Sequence, residues 1–183
     1  MKVKNLNSSS RKTKKLIKET FAELMHEKQE LSHITVKELV ARAGITRSSF
    51  YTHYENIYEV AGDIQNETME VLQKSVEDLV SSNDFNTCLD EITAYLKENE
   101  YIYSMILSSS SAVIYADRIV KLLRKKLDIL LEKNNDHELD LVFYTYGCVN
   151  LYIKHFRGEI DYTLDEINDY VKGLAKKIFY IKK

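Results

Sequence analysis

Within eight residues, positions 47 to 54, the chain places Arg47, Ser48, Ser49, Tyr51, His53 and Tyr54. Guanidinium, hydroxyl and imidazole are group types that can hydrogen-bond to phosphate oxygens and base edges. What positions them is legible just upstream. Thr35 followed by Glu38 reads as a capping box, in which a hydroxyl and a carboxylate satisfy each other's orphan backbone donors. Val36, Leu39 and Val40 then give a helical apolar stripe, and Ala41 is small enough for another helix to approach. Gly44 stands where that helix must end and the chain must turn, a place where positive φ costs glycine nothing. Ile45 packs beneath the turn and Thr46 caps the next helix. Two short helices about a glycine turn form a helix-turn-helix, whose second helix enters the DNA major groove.

Charge agrees once it is divided by position. The chain of 183 residues has a formal net charge of -2, but residues 1–60 carry 11 Lys+Arg against 7 Asp+Glu, and the remainder is acidic. The first 18 residues hold Lys2, Lys4, Arg11, Lys12, Lys14, Lys15 and Lys18 and no acid. A basic run is ordinarily a solvated face. Placed directly before a helix-turn-helix, it reads as a phosphate-contacting arm whose binding falls with salt.

Other chemistries find little support. Cys88 and Cys148 are far apart and lack metal-ligand spacing, so reduced thiols are expected, and neither has a clear basic neighbour to activate it. His155 with Glu159, and His137 with Asp140, are weak pairs without a third ligand; no metal, cofactor or enzymatic activity is expected. With no run of about 18 apolar residues and no apolar segment behind the basic N-terminus, no membrane association is expected, and a cytoplasmic protein fits best.

Proline is absent and glycine scarce, so helices have few interruptions. The pattern predicts an all-α fold of about nine helices: residues 11–28 (with Leu16, Ile17, Phe21, Leu24 and Met25 on one face), 36–43, 47–53, 56–80, 85–98, 100–107, 112–132, 136–156 and 164–180. Asn56 with Glu59, Asn135 with Glu138 and Thr163 with Glu166 repeat the capping pattern, and Ser81 to Asp84 is a break and a cap for the helix after it. Residues 108–111 and 134–136 are further breaks. The organisation is a DNA-binding head with a basic arm, residues 1–60, on a larger helical bundle, residues 61–183.

This order, with Ile34 to Val60 reading ITVKELVARAGITRSSFYTHYENIYEV, resembles the TetR family of transcriptional regulators. The specific match covers about residues 11–62, through the Thr-Val-x-x-Leu entry, the Ala-Gly-Ile turn and the Ser-Phe-Tyr-x-His-Tyr helix. The resemblance implies that Thr35, Tyr51 and His53 touch phosphates and that Thr46, Arg47 and Ser48 meet base edges. Arg47 is the best sequence reader, since a guanidinium can grip guanine O6 and N7 together; a plain phosphate contact is its alternative. Lys12 and Lys15 belong to the basic arm. Phe50 and Tyr54 fall to the core. The family often has a lysine at the start of the fourth helix, where this chain has Ile57. The backbone N–H groups there, the Tyr58 hydroxyl and the basic arm are the expected substitutes, with weaker binding.

The remainder matches only in length and helix pattern; in the family it makes the dimer and often holds an inducer pocket. Leu164, Ile167, Val171, Leu174, Ile178 and Ile181 recur at spacings of 3 and 4, a narrow stripe. It serves either the helix's own core or a four-helix bundle between two copies. Symmetric operators call for a dimer, so the last two helices are favoured, with Tyr144, Tyr152 and Tyr170 on their outward faces. Ten of the 13 tyrosines follow residue 90. Tyr103, Met105, Tyr115, Phe143, Tyr146 and Cys148 are candidates to line a pocket for a small hydrophobic or aromatic effector, against the plainer reading that such tyrosines fill the core. The function expected is a sequence-specific regulator of a pseudo-palindromic operator, a repressor released by a small molecule. The alternative is a co-regulator of the same fold whose main partner is a protein and whose DNA binding is weak.

Overall fold

A computed structural model describes residues 8–82, 84–107, 117–125 and 138–179, which are helical apart from short turns and contain no strand. The chain divides into two compact units: residues up to Asn66 together with Tyr101–Ser111, and Glu67–Glu100 together with Ala112–Lys183.

In the first unit, α1 (Ser8–Lys28) buries Ile17, Phe21, Ala22, Leu24 and Met25. Leu16, expected on that face, is 39 % exposed, because it lies about 100° from Ile17 around the helix. Gln29 ends α1 at φ 63°, its side chain donating to the His26 carbonyl at 2.6 Å. After the 3-10 turn Leu31–His33, α2 (Val36–Ala43) packs on α1. The Thr35 hydroxyl accepts the Glu38 N–H as expected, at 3.2 Å. The Glu38 carboxylate pairs with Lys28 at 3.1 Å, so the reciprocal half of the expected box goes to a charge instead. Gly44 adopts φ 65° and turns the chain into α3 (Arg47–Tyr51). The turn Thr52–His53 follows, so α3 is shorter than the helix expected to residue 53. Then α4 (Ile57–Ser82) leaves the unit, and α6 (Glu100–Leu107) returns to it, the Tyr101 hydroxyl donating to Glu23 at 2.7 Å.

The second unit is built on Leu72, Val76 and Leu79 of α4, Cys88 and Ile92 of α5 (Phe85–Glu98), Leu141, Tyr144 and Cys148 of α8 (Glu138–Phe156), and Ile167, Val171 and Ala175 of α9 (Leu164–Ile178), closed by Phe179. Residues 117–125 form α7, whose Ile119, Leu122 and Leu123 pack against this core. The rest of the helix expected over 112–132 lies outside the described residues, as do Asn135 and the breaks at 108–111 and 134–136. Two caps match the sequence: Asp84 accepts from Asn86 and Thr87, and Thr163 with Glu166 forms a complete capping box. Between α5 and α9, Lys97 pairs with Asp165, and Asp90 accepts from Lys172 and Asn168.

The outward placement of Tyr144 and Tyr152 does not hold. Tyr144 is buried, donates its hydroxyl to the Val171 carbonyl at 3.1 Å, and stacks edge-on to Phe179 at 5.2 Å. Tyr152 is half-buried, its hydroxyl 3.1 Å from that of Thr93. Both are amphipathic, and in this core each ring is covered while its hydroxyl keeps a partner. Tyr144→Phe keeps the ring and deletes one hydrogen bond. Chemical denaturation should show a loss of about 1 kcal/mol; no loss would mean that the α8–α9 contact rests on ring packing alone.

Candidate nucleic-acid interface

α3 has five residues, and its start is set by Thr46, whose hydroxyl accepts the Ser49 N–H at 3.1 Å. Phe50 is wholly buried, which turns Arg47, Ser48 and Tyr51 outward, all exposed. The Phe50 ring meets Tyr51 edge-on at 5.5 Å and Tyr54 at 6.0 Å. Beyond the helix, the His53 and Tyr54 N–H groups both donate to the Phe50 carbonyl, at 2.9 and 3.0 Å, so the turn stays coupled to the helix. His53 is half-buried. Thr35 at the start of α2, and Lys12 and Lys15 on α1, are in the same unit, and all three are exposed. As expected, Phe50 and Tyr54 belong to the buried interior.

Ile57 is 5 % exposed. The position where the family often carries a lysine therefore faces the interior of the head, and Tyr58 beside it is exposed. At this end of α4 the Glu59 N–H is taken by the Asn56 side chain at 3.0 Å, and the Glu59 carboxylate accepts the Glu55 N–H at 2.7 Å. Fewer backbone donors are thus left for a phosphate than the sequence suggests.

Sequence reasoning missed Asp63. Its carboxylate meets Lys14 at 3.0 Å and Lys18 at 2.7 Å, and accepts the Tyr54 hydroxyl at 2.8 Å. Lys14 also lies 5.8 Å from the centre of the Tyr54 ring. Burial alone would raise the carboxyl, but the hydrogen bonds from Lys18, Lys14 and Tyr54 outweigh it and hold Asp63 below its ordinary value. The i,i+4 spacing of Lys14 and Lys18 was a usable signal, because it puts both on one face of α1. Their partner, distant along the chain, was not visible. Lys14, His53, Tyr54, Asn56, Tyr58, Glu59, Gly62, Asp63 and Asn66 line a groove of about 570 Å³ in the head.

The candidate effector residues are dispersed. Tyr103 is buried and Met105 half-buried on α6, in the first unit; Phe143 is 71 % and Tyr146 50 % exposed on α8, while Cys148 faces the core of the second. Tyr115 lies outside the described residues. Burial pushes the Cys88 and Cys148 thiols up to about 12, which keeps both protonated and unreactive at neutral pH. His155 and Glu159, read from the sequence as only a weak pair, go to separate partners: His155 meets the Tyr162 carbonyl at 2.7 Å and Glu100 at 3.6 Å, and Glu159 pairs with Lys154. His137 is outside the described residues. Among the described residues no helix is long and apolar enough to cross a membrane.

An acid whose folded pKa lies below its unfolded one, about 3.9 for aspartate, contributes stability that is fully present above the unfolded value and lost as pH falls through the folded one. The melting temperature of the head should therefore drop as pH falls below about 4. Asp63→Asn should lower it at neutral pH and flatten the acid decline. An equally steep decline in that variant would place the acid sensitivity elsewhere.

No family model matches the sequence. An uncharacterized HTH-type transcriptional regulator of Bacillus subtilis (strain 168), YxbF, is 26% identical over 110 residues, 60% of this chain. That match spans 27% of the relative's own length. Among solved structures, a TetR transcriptional regulator from Streptococcus agalactiae 2603V superposes with a TM-score of 0.55 at 21% identity, over 91% of this chain and 94% of its own. The TetR family transcriptional regulator PfmR from Thermus thermophilus gives 0.55 at 19% identity, over 86% and 96%. With a helix-turn-helix in its first unit and a helical bundle in its second, the chain has the fold of the TetR-family transcriptional regulators.

Proposed function

We propose that the protein is a homodimeric, sequence-specific DNA-binding transcriptional regulator that acts as a repressor on a pseudo-palindromic operator. The observation that carries this reading is the outward face of α3: Arg47 and Ser48 exposed at the start of a capped helix, in the basic part of a chain that is otherwise acidic. Thr35, Tyr51, His53 and Tyr58 hold the duplex by its phosphates, with Lys12 and Lys15 adding charge from α1. Arg47 reads a base pair. Release by a small hydrophobic or aromatic effector is supported by the family resemblance.

Dimerisation uses the last two helices in this reading, but through a different face from the one first expected. Leu164, Ile167 and Val171 are already buried within the chain. Leu139, Phe143 and Tyr146 are exposed on α8 at spacings of 4 and 3, and Tyr170 is exposed on α9. An apolar stripe of this kind is the usual mark of an association surface. Phe143→Glu with Tyr146→Glu should shift the protein toward monomer in sedimentation velocity while the helical signal stays unchanged; a persistent dimer would move the interface elsewhere.

Enrichment from a random duplex library should return a two-fold symmetric motif. Arg47→Ala should relax selection at one base position per half-site, by about 1–3 kcal/mol, with affinity for other sequences little changed. A library that returns no motif would sink the reading.

A further inference from the structure

We propose that Asp63 is a positioning residue for DNA recognition: it draws Lys14 and Lys18 out of the set of phosphate contacts and uses them, with Tyr54, to hold the exit of the recognition helix. The proposal rests on the DNA-binding reading above for its effect on affinity, and on geometry for the rest. Three elements meet at one carboxylate. α1 contributes Lys14 and Lys18, the turn after α3 contributes Tyr54, and α4 contributes Asp63 itself. The Lys18 side chain is only 8 % exposed. An ammonium so covered is stable only when paired, and there it cannot reach out to a duplex. Lys14 is committed as well, between the Asp63 carboxylate and the face of the Tyr54 ring.

Tyr54 carries the effect to the site. Its ring lies against that of Phe50, the buried residue of α3, and its N–H closes on the Phe50 carbonyl. α3 is too short to keep its own orientation, so the Tyr54–Asp63 strap fixes the angle at which Arg47 and Ser48 are presented. A site held this way loses affinity when its support loosens, even though no contact to the ligand is removed.

The test uses the full chain and the duplex recovered by library selection. Asp63→Asn removes the ion pairs, Tyr54→Phe removes only the strap and keeps both ion pairs, and Lys14→Gln removes one cation. Amide hydrogen exchange without DNA should quicken roughly tenfold at His53 and Tyr54 in both Asp63→Asn and Tyr54→Phe, as the closed state loses population. The Leu39 amide in α2 should keep its wild-type rate in Tyr54→Phe. Operator affinity per folded molecule should fall about tenfold in Tyr54→Phe. The slope of log affinity against log salt should stay at its wild-type value in Lys14→Gln, whereas a lysine on a phosphate would remove about 0.9 from it. Equal quickening across the whole head would reduce Asp63 to a general stabiliser and overturn the proposal. So would a salt slope lowered by one phosphate in Lys14→Gln. If the wild type binds no selected duplex, the functional reading fails, and the exchange rates at His53 and Tyr54 still decide whether Asp63 holds the turn.

Discussion

A five-residue helix cannot sustain itself. Its few hydrogen bonds do not offset the cost of nucleating a helical turn, so α3 exists only because the rest of the head holds it. Each neighbouring feature answers that constraint. Gly44 turns the chain with a left-handed φ of 65° that a β-carbon would resist. Thr46 satisfies an orphan donor at the start of the helix. Phe50, fully buried, pins the middle, and Tyr54 pins the exit through Asp63. Once α3 is held at start, middle and exit, Arg47, Ser48 and Tyr51 have nowhere to face but solvent.

The lysines of α1 show how one helix divides its charge. Around the helix, Lys12 and Lys15 fall on the outer side, while Lys14 and Lys18 fall on the side that meets α4. A count of basic residues treats all four alike. Their electrostatics differ, because an exposed ammonium is screened within a Debye length and free to exchange counterions, whereas a covered ion pair is screened far less. The net charge of the segment thus overstates the charge available to a polyanion.

In the second unit the same amphipathic chemistry serves packing. Tyr144 sets its ring against Phe85 and Phe179 and its hydroxyl on the α9 backbone, and Tyr152 does the equivalent with Thr93 of α5. Tyrosines that could have lined a cavity or faced a partner instead hold α8 against its neighbours. The apolar residues left outside are a different set, Leu139, Phe143 and Tyr146, one helical face away.

Local information was readable wherever one residue's chemistry settles its own neighbourhood. The caps at Thr35, Thr46, Asp84 and Thr163, the Gly44 turn, the bounds of α2, α5 and α6, and the burial of Phe50 follow from side-chain reach and helical period. They depend on residues within about four positions of one another. The all-helical fold and its likeness to TetR-family structures rest on those same signals. Tertiary structure decided whatever depends on a partner distant in the chain. It paired Glu38 with Lys28, placed Ile57 in the interior, gave Lys14 and Lys18 to Asp63, and turned Tyr144 and Tyr152 inward. A periodic pattern tells which residues share a face. Only packing tells what that face meets, because burial and charge pairing are set by elements that the local sequence does not contain.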